Sequence, residues 1–515
     1  MSLEIQSSTT DRESEIRDPE QSSYRQIFKA TSLFGGVQVF QILIGIIRNK
    51  FVAVLLGTTG VGLIGLFNAP LQLVLLVTGL GLTFSAVRDI SEAYGSNDQR
   101  KIAEKVTTLR RWTWATAILG LIVTAGLAPL LSKWTFGNNK YTLAFLWLSF
   151  SIFFQIIGNN QRCILQAARR LKDLARANVY GSIVGLITSV PLFYFLRLQG
   201  IVPSLILASI TLFLISWFYS RRVRVQAITM SFKETYNAGK SMVKLGMVIT
   251  ATGVVSYITG YILNAYIGRT GGVEQVGLYN AGWSVIMQST GLVFTAMTTD
   301  YYPRLSAINN DNSKIRQLVN QQAVIALFIL APIIIILITI LPFLIRLLYT
   351  AEFLPVVILA SWMLVGIILK GMVWPVGYIF PAKNDMKLFG VIEISAMLFN
   401  IIINIIGYNL YGLEGLGISY IIGYIYGLGV TNWFAYKKYG FTYSKETIRI
   451  FLISLLLICF TFGFAYLLKG SARYAIGLIF FTGSLFYSFF GLDKRLKLKQ
   501  LVLSVSAKLM QKRRR

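Results

Sequence analysis

Histidine is absent from this chain of 515 residues, and cysteine occurs only twice, at Cys163 and Cys459. Without histidine there is no His-based acid–base or triad catalysis and no zinc site with imidazole ligands. The two thiols lie far apart with no metal-ligand spacing, which predicts neither a disulfide nor a metal centre. Charge is scarce too: 14% of residues are charged and 55% hydrophobic, whereas a soluble chain carries about a quarter charged residues. Acidic groups are scarcest, 21 against 49 Lys and Arg, for a net charge of +28. The nearest approach to a phosphate-binding loop is Gly239-Lys240-Ser241. Glu234 stands where its first glycine belongs, and no strand precedes it. No ATP engine, no enzyme and no cofactor are expected; coupling to a proton or sodium gradient stays open.

Long apolar runs recur instead from end to end, and the mean hydropathy is +0.62. Fourteen spans centre near residues 45, 72, 122, 151, 187, 210, 255, 288, 334, 367, 398, 424, 459 and 481. Each is long enough to cross a hydrocarbon core of about 30 Å as a helix. The expected fold class is therefore an all-α polytopic membrane protein of about fourteen transmembrane helices. In a soluble protein the net charge would point to nucleic acid; here the positive-inside rule accounts for it. Only Lys133, Lys140, Arg197, Arg269, Arg346, Lys469 and Arg473 fall in loops of one parity. Arg48, Lys50 and Lys370 lie within spans, and every other Lys and Arg falls in the opposite loops or the two tails. That asymmetry predicts both termini in the cytoplasm.

The chain repeats itself. At an offset of 212, Gly65-Leu66-Phe67-Asn68-Ala69 matches Gly277-Leu278-Tyr279-Asn280-Ala281, and Gly79, Leu80 and Thr83 match Gly291, Leu292 and Thr295. One residue later in register, Lys101-Ile102 matches Lys314-Ile315 and Pro129 matches Pro342. Six spans separate the copies, so the halves share an orientation. A parallel repeat of this kind places a substrate site between lobes near the midplane. The expected division is a disordered acidic cytoplasmic tail (1–27), an N-lobe of helices 1 to 6 (28–219), a cytoplasmic linker (220–243), a C-lobe of helices 7 to 12 (244–440), helices 13 and 14 (441–492), and a basic cytoplasmic tail (493–515).

Polar groups inside spans point to function, because an ionised side chain at the helix centre costs about 2.5–3.5 kcal/mol on insertion scales. In the first span Gln38, Gln41, Gly45 and Arg48 share one face at steps of 3, 4 and 3. Lys50 sits roughly 200° round from Arg48, lining another part of a cavity or snorkelling to the interface. Glu393, Asn400 and Asn404 share a face of span 11, with Met397 between. Lys370 shares one with Gly366 and Trp374 on span 10, and Asn264 follows Tyr257 and Tyr261 on span 7. The asparagines could equally hold helix to helix, and Lys370 with Glu393 could form a structural ion pair. Arg48, Lys50 and Lys370 against one Glu make a cavity that attracts an anion. At 4 Å and an effective dielectric near 20, one such charge pair gains about 4 kcal/mol. Tyr257, Tyr261, Trp374, Gln38 and Asn400 are groups suited to sugars.

Several segments resemble Wzx-type O-antigen and lipid III flippases of the multidrug/oligosaccharidyl-lipid/polysaccharide (MOP) exporter superfamily. They are Lys29-Ala30-Thr31-Ser32, the Lys50 to Ala53 stretch, Gly60-Val61-Gly62-Leu63, and Pro303 with Leu305-Ser306. Span 10 adds Trp362, Leu364-Val365-Gly366, Leu369-Lys370, Gly377-Tyr378 and Ala382-Lys383, followed by Glu393 and Ser395. The resemblance covers roughly residues 28 to 440. It implies two six-helix lobes, as in multidrug exporters of that superfamily, in the bacterial inner membrane. It also implies a flippase that moves undecaprenyl-pyrophosphate-linked oligosaccharide, an O-antigen-like unit of lipopolysaccharide biosynthesis, by alternating access. The partners would be that glycan carrier, membrane lipids and glycan polymerase machinery, with no nucleic acid. The resemblance supports Lys50, Lys370 and Glu393; Arg48 rests on helical geometry. The acidic N-terminal tail and two extra C-terminal spans depart from the pattern. The alternatives are a multidrug or organic-cation antiporter, which needs buried carboxylates, a non-transporting scaffold of glycan assembly, and an enzyme on the lipid carrier, for which no acid–base pair stands out. Labelling of single cysteines in a Cys-free background tests the topology: a thiol at position 105 should react only from the cytoplasmic side.

Overall fold

A computed structural model describes residues 19–96, 98–223, 225–226, 228–468 and 470–496; the side chains of 19–39, 248, 249, 251, 252, 299 and 496 are excepted. Residues 1–18 and 497–515 of the expected tails lie outside the described residues. Among those described, the chain is α-helical without strands. α1 spans Pro19–Thr78, α2 Leu82–Gly95, α3 Gln99–Gly126, α4 Ala128–Phe136, α5 Thr142–Ala167, α6 Leu171–Leu196 and α7 Ile201–Ser220. The second half holds α8 Phe232–Thr270, α9 Val273–Ala307, α10 Asn312–Leu348, α11 Val356–Gly377, α12 Ile379–Ala382, α13 Met386–Tyr439, α14 Lys445–Leu467 and α15 Ser471–Leu496. Every expected span centre falls within one of these helices. Two boundaries differ from expectation: residues 19–27, assigned to a disordered tail, are helical. Pro19 opens α1, where its missing N–H and fixed φ do no harm. The linker 220–243 ends at Ser231, because Ser231 and Glu234 form a capping box that starts α8 (Ser231 N to Glu234 Oε2, 2.7 Å; Glu234 N to Ser231 Oγ, 3.2 Å).

Eight helical segments among the described residues are long and apolar enough to cross a membrane, or nine if α3 and α4, bent by 59°, count as one. Three of the eight fold back. α1 and α13 contain Gly57 (φ 64°, ψ −162°) and Gly412 (φ 57°, ψ −134°), a region essentially reserved for glycine. α6 and α7 are joined by one 3₁₀ turn, Arg197–Gly200. The chain is thus a multi-pass membrane protein.

Two compact units emerge. Unit 1 comprises 1–48, 74–128 and 143–250, and unit 2 comprises 49–73, 129–142 and 251–515. α1 and α8 contribute to both. In unit 1, α2, α3, α5, α6 and α7 enclose Leu82, Ile90, Val106, Leu109, Ile164 and Ala177. The start of α8 is fastened to this unit by Arg111, which donates to Met230 O and Thr235 Oγ1 at 2.7 Å each. Between α1 and α2 the helix breaks at Gly79-Leu80-Gly81. Leu80 and Gly81 are left-handed (φ 49° and 62°), and a Cβ on Gly81 would lie 2.1 Å from Gly246 O.

In unit 2, α10 and α11 are enclosed by neighbours on nearly all sides, as all-round apolar helices must be. The repeat is visible in the capping of α3 and α10. Asp98 accepts from the N–H groups of Arg100 and Lys101 at 3.0 and 3.1 Å, and Asp311, 213 residues later, accepts from Ser313 and Lys314 at 3.0 Å each. The C-terminal pair packs on α10, with Gly477 against Thr339 and Gly491 against Phe328. Arg473 of α15 reaches the carbonyls of Ile338 (2.8 Å) and Ala465 (3.0 Å). The helical donor for Ile338 O would be residue 342, a proline with no N–H. The guanidinium supplies what the proline lacks. Arg473→Leu should lower stability by about 1–3 kcal/mol, the cost of a stranded buried acceptor. Adding Pro342→Ala, which restores the backbone donor, should recover most of the loss. Thermal unfolding in detergent of the two variants checks both.

Candidate functional site

Arg48 and Gln41 stand on the part of α1 that belongs to unit 1, both half-buried. Arg48 makes no hydrogen bond or ion pair among the described residues. It is a cation inside a membrane span with no counter-charge among the described residues. Gln38 is one turn earlier on α1, and its side chain lies outside the described residues.

Lys50 belongs to unit 2 and faces elsewhere. Its ammonium donates to Arg346 O (3.0 Å) and to Tyr349 O, the last carbonyls of α10. A cation there satisfies acceptors that a helix end leaves open and meets the negative end of its dipole. Close by, a Cβ on Gly57 would lie 3.3 Å from Glu352 Oε2, and Thr59 Oγ1 reaches Glu274 Oε1 at 3.4 Å. Backbones touch along this seam. A Cβ on Gly62 would fall 1.9 Å from Val273 O, and one on Gly277 would fall 2.0 Å from Thr58 O. Thr135 of α4 bonds Tyr261 at 3.1 Å, and the rings of Phe136 and Tyr141 stack beside Phe67 with centroids 4.0 to 5.7 Å apart. One end of unit 2 is thereby shut by residues drawn from both sequence halves.

The other polar residues divide into seams and free groups. Asn264 is buried, donates to Gly260 O and accepts from Asn280 Nδ2, both at 2.8 Å. Asn280 in turn fills the space left by Gly65, whose added Cβ would lie 2.1 Å from its Nδ2. Asn400 bonds back to Ala396 O (2.8 Å) and sits against Gly423 on the returning arm of α13; Asn404 bonds back to Asn400 O (2.7 Å). Asn264 and Asn400 thus sit at contacts between helical segments, whereas the bond of Asn404 stays within its own helix. Lys370 lies over the face of Phe294, its ammonium 4.6 Å from the ring centre, a contact of about 0.5–2 kcal/mol. Trp374, one turn on, packs against Phe294, Tyr301 and Tyr378. Glu393 is exposed on α13. Lys370 and Glu393 form no ion pair with each other or with any other described residue. Sequence reasoning missed Asn280 and Phe294, because only the tertiary contact reveals them.

A profile of the family described as "Polysaccharide biosynthesis protein" matches residues 51–358, more than half the chain. The chain belongs to that family. A putative O-antigen transporter of Shigella flexneri is 24% identical over 261 residues, 50% of this chain and 61% of that protein, so the match spans under two thirds of the relative's length. The lipid II flippase MurJ in an inward closed conformation superposes with a TM-score of 0.69 at 15% identity, covering 90% of this chain and 99% of that one. A multidrug resistance MATE family transporter of the MOP superfamily, inward-facing, gives 0.64 at 14% identity over 76% and 94%. At these identities the structural likenesses establish the fold, an all-α polytopic architecture of the MOP kind.

Lys50 and Arg48 separate experimentally. Lys50→Met should destabilise this member of the family by about 1–3 kcal/mol, because two carbonyls lose their donor. Arg48→Met should leave the melting temperature in detergent unchanged or raise it, because a desolvated cation is removed and no bond is lost.

Proposed function

We propose that the protein is a flippase that translocates undecaprenyl-pyrophosphate-linked oligosaccharide, an O-antigen-like repeat unit, from the cytoplasmic to the periplasmic leaflet by alternating access. The observation that carries this reading is Arg48, a guanidinium within a span that has no counter-charge among the described residues. Lys370, opposed only by a ring face, is a second cation of the same kind. A diphosphate is the anion these groups suit, since Arg binds phosphate oxygens through a forked pair of donors and Lys as a point charge. The putative O-antigen transporter among the relatives supports the same substrate class, and the lipid II flippase shares the fold. The membrane is the bacterial inner membrane, with both termini cytoplasmic and Lys133 to Lys140 outside. Glycan polymerase machinery is the downstream partner. Coupling to a proton or sodium gradient would run through Glu393, an exposed carboxylate without an ion-pair partner on a membrane helix. The two lobes, 28–219 and 244–440, would be the moving bodies. The seam of Gly62, Gly277, Thr59 and Glu274 would be the closed outer gate that has to part in each cycle.

The test is accumulation of lipid-linked glycan on the inner leaflet, or its delivery outside, at matched expression. Arg48→Ala and Lys370→Ala should each reduce flipping severalfold without loss of inserted protein. Arg48→Lys should rescue only in part if the fork matters, and charge reversal to Glu should be worse than Ala. Full activity in a chain carrying both Arg48→Glu and Lys370→Glu would sink the anionic site and favour the organic-cation antiporter. That antiporter would instead depend on Glu393. Joining Thr59→Cys to Glu274→Cys with a short bifunctional thiol reagent, in a background lacking Cys163 and Cys459, should stop flipping until the link is reduced.

A further inference from the structure

Unit 1 contains a cavity of about 310 Å³ enclosed by α3, α5 and α7. Nothing in the transport reading uses it. Its floor carries Asn160 and Gln161, and Arg110, Trp114, Trp217 and Arg221 surround its mouth. Asn160 is only 4% exposed, and its Oδ1 has no hydrogen-bond partner among the described residues. Buried side-chain amides are nearly always satisfied, so an unsatisfied one lining a cavity points to an occupant that donates a hydrogen bond. Turning the amide exchanges donor for acceptor at the buried position, so the end toward the cavity can serve as either. Gln161 is already fixed, its Oε1 accepting from Ser220 Oγ at 2.6 Å.

The two arginines stand out against their sequence neighbours. Arg111 is engaged by Met230 O and Thr235 Oγ1, and Arg222 lies 3.8 Å from Asp173, which also takes Arg170 and Arg176. Arg110 and Arg221, one residue before each, have no carboxylate partner among the described residues. Arg221 lies over the ring of Trp217 at 4.5 Å, which presents its guanidinium edge to whatever enters. In each adjacent pair, one arginine holds the fold and the other is left at the cavity. The mouth opens among exposed apolar side chains: Trp114 at 54%, Trp217 at 41%, with Ile118 one turn from Trp114 and Phe218 beside Trp217. Tryptophans so placed mark the headgroup level of a bilayer. A ligand arriving there comes from the membrane.

We propose that this cavity is a binding site for a membrane lipid whose headgroup joins a phosphodiester to a free hydroxyl, as in phosphatidylglycerol. The phosphate sits between Arg110 and Arg221, each able to donate two N–H bonds to its oxygens, and the hydroxyl reaches Asn160. Two cations without a counter-charge favour a net-anionic headgroup over a zwitterionic one, whose ammonium they repel.

The test uses the full-length protein, delipidated in detergent and titrated with phosphatidylglycerol, phosphatidylethanolamine or free glycerol phosphate. Bound lipid is counted by native mass spectrometry. Wild type should retain one phosphatidylglycerol at least about tenfold more tightly than phosphatidylethanolamine, a difference of the size one charge-assisted contact gives. Arg110→Ala with Arg221→Ala should abolish that preference, and Arg110→Lys with Arg221→Lys should keep part of it. Asn160→Leu should reduce the preference while leaving thermal stability intact or improved, since it removes an unsatisfied amide. Lys437→Ala is the control, because Lys437 also lies over an exposed tryptophan, Trp433, at 5.1 Å but outside the cavity; it should bind as wild type. Equal binding of the two lipids, an unchanged preference in the folded double-alanine variant, or displacement of the lipid by glycerol phosphate at matched concentration would overturn the assignment.

Discussion

In hydrocarbon a backbone amide has no water to turn to, and each unmatched group costs several kcal/mol. That requirement governs where this chain stops being helical and what is placed there. Gly57 and Gly412 reverse α1 and α13 in a backbone region closed to other residues. Lys50 covers the carbonyls at the end of α10, and Arg473 covers the one left open by Pro342. The last of these gives the C-terminal helices a structural role: α15 completes the bonding of a helix at the centre of unit 2. They are not a loose appendage to the twelve-helix plan.

Ionised groups then sort by whether the fold occupies them. Lys50, Arg111, Arg222 and Arg473 have protein acceptors. Among the described residues Arg48 and Arg110 have none, and Lys370 and Arg221 have only a ring face. On the proposed readings the unmatched cations are the ones that meet phosphate, and they lie in two settings: inside spans, and at an interfacial cavity. The scarcity of acidic residues noted at the outset is what keeps both sets free.

The sequence discloses the helices well, because a run of about twenty apolar residues has few other fates. It also discloses that Arg48 and Lys50 point different ways, which follows from 100° per residue. It does not disclose the break at Gly79-Leu80-Gly81. The repeat copy reads Gly291-Leu292-Val293, and α9 runs through it unbroken. One residue, Gly81 against Val293, separates a left-handed break from a continuous helix, and identity at the other two positions hides it. Asn264 gives the same lesson from the opposite direction. Its helical position is legible, whereas its bond to Asn280 depends on Gly65 letting two backbones approach. By sequence Arg110 and Arg221 are topogenic charge, since nothing local distinguishes them from Arg111 and Arg222.

The seam at Gly62 has a consequence for biosynthesis. Its contact, Val273, is translated 211 residues later, an interval of roughly 10–40 s at ribosomal rates of about 5–20 residues per second. During that time the first hairpin sits in the bilayer with its small-residue face uncovered and Lys50 without the carbonyls of α10. Such a face is an attractive surface for other helices. Early shielding of that hairpin, until its partner emerges, would favour correct assembly.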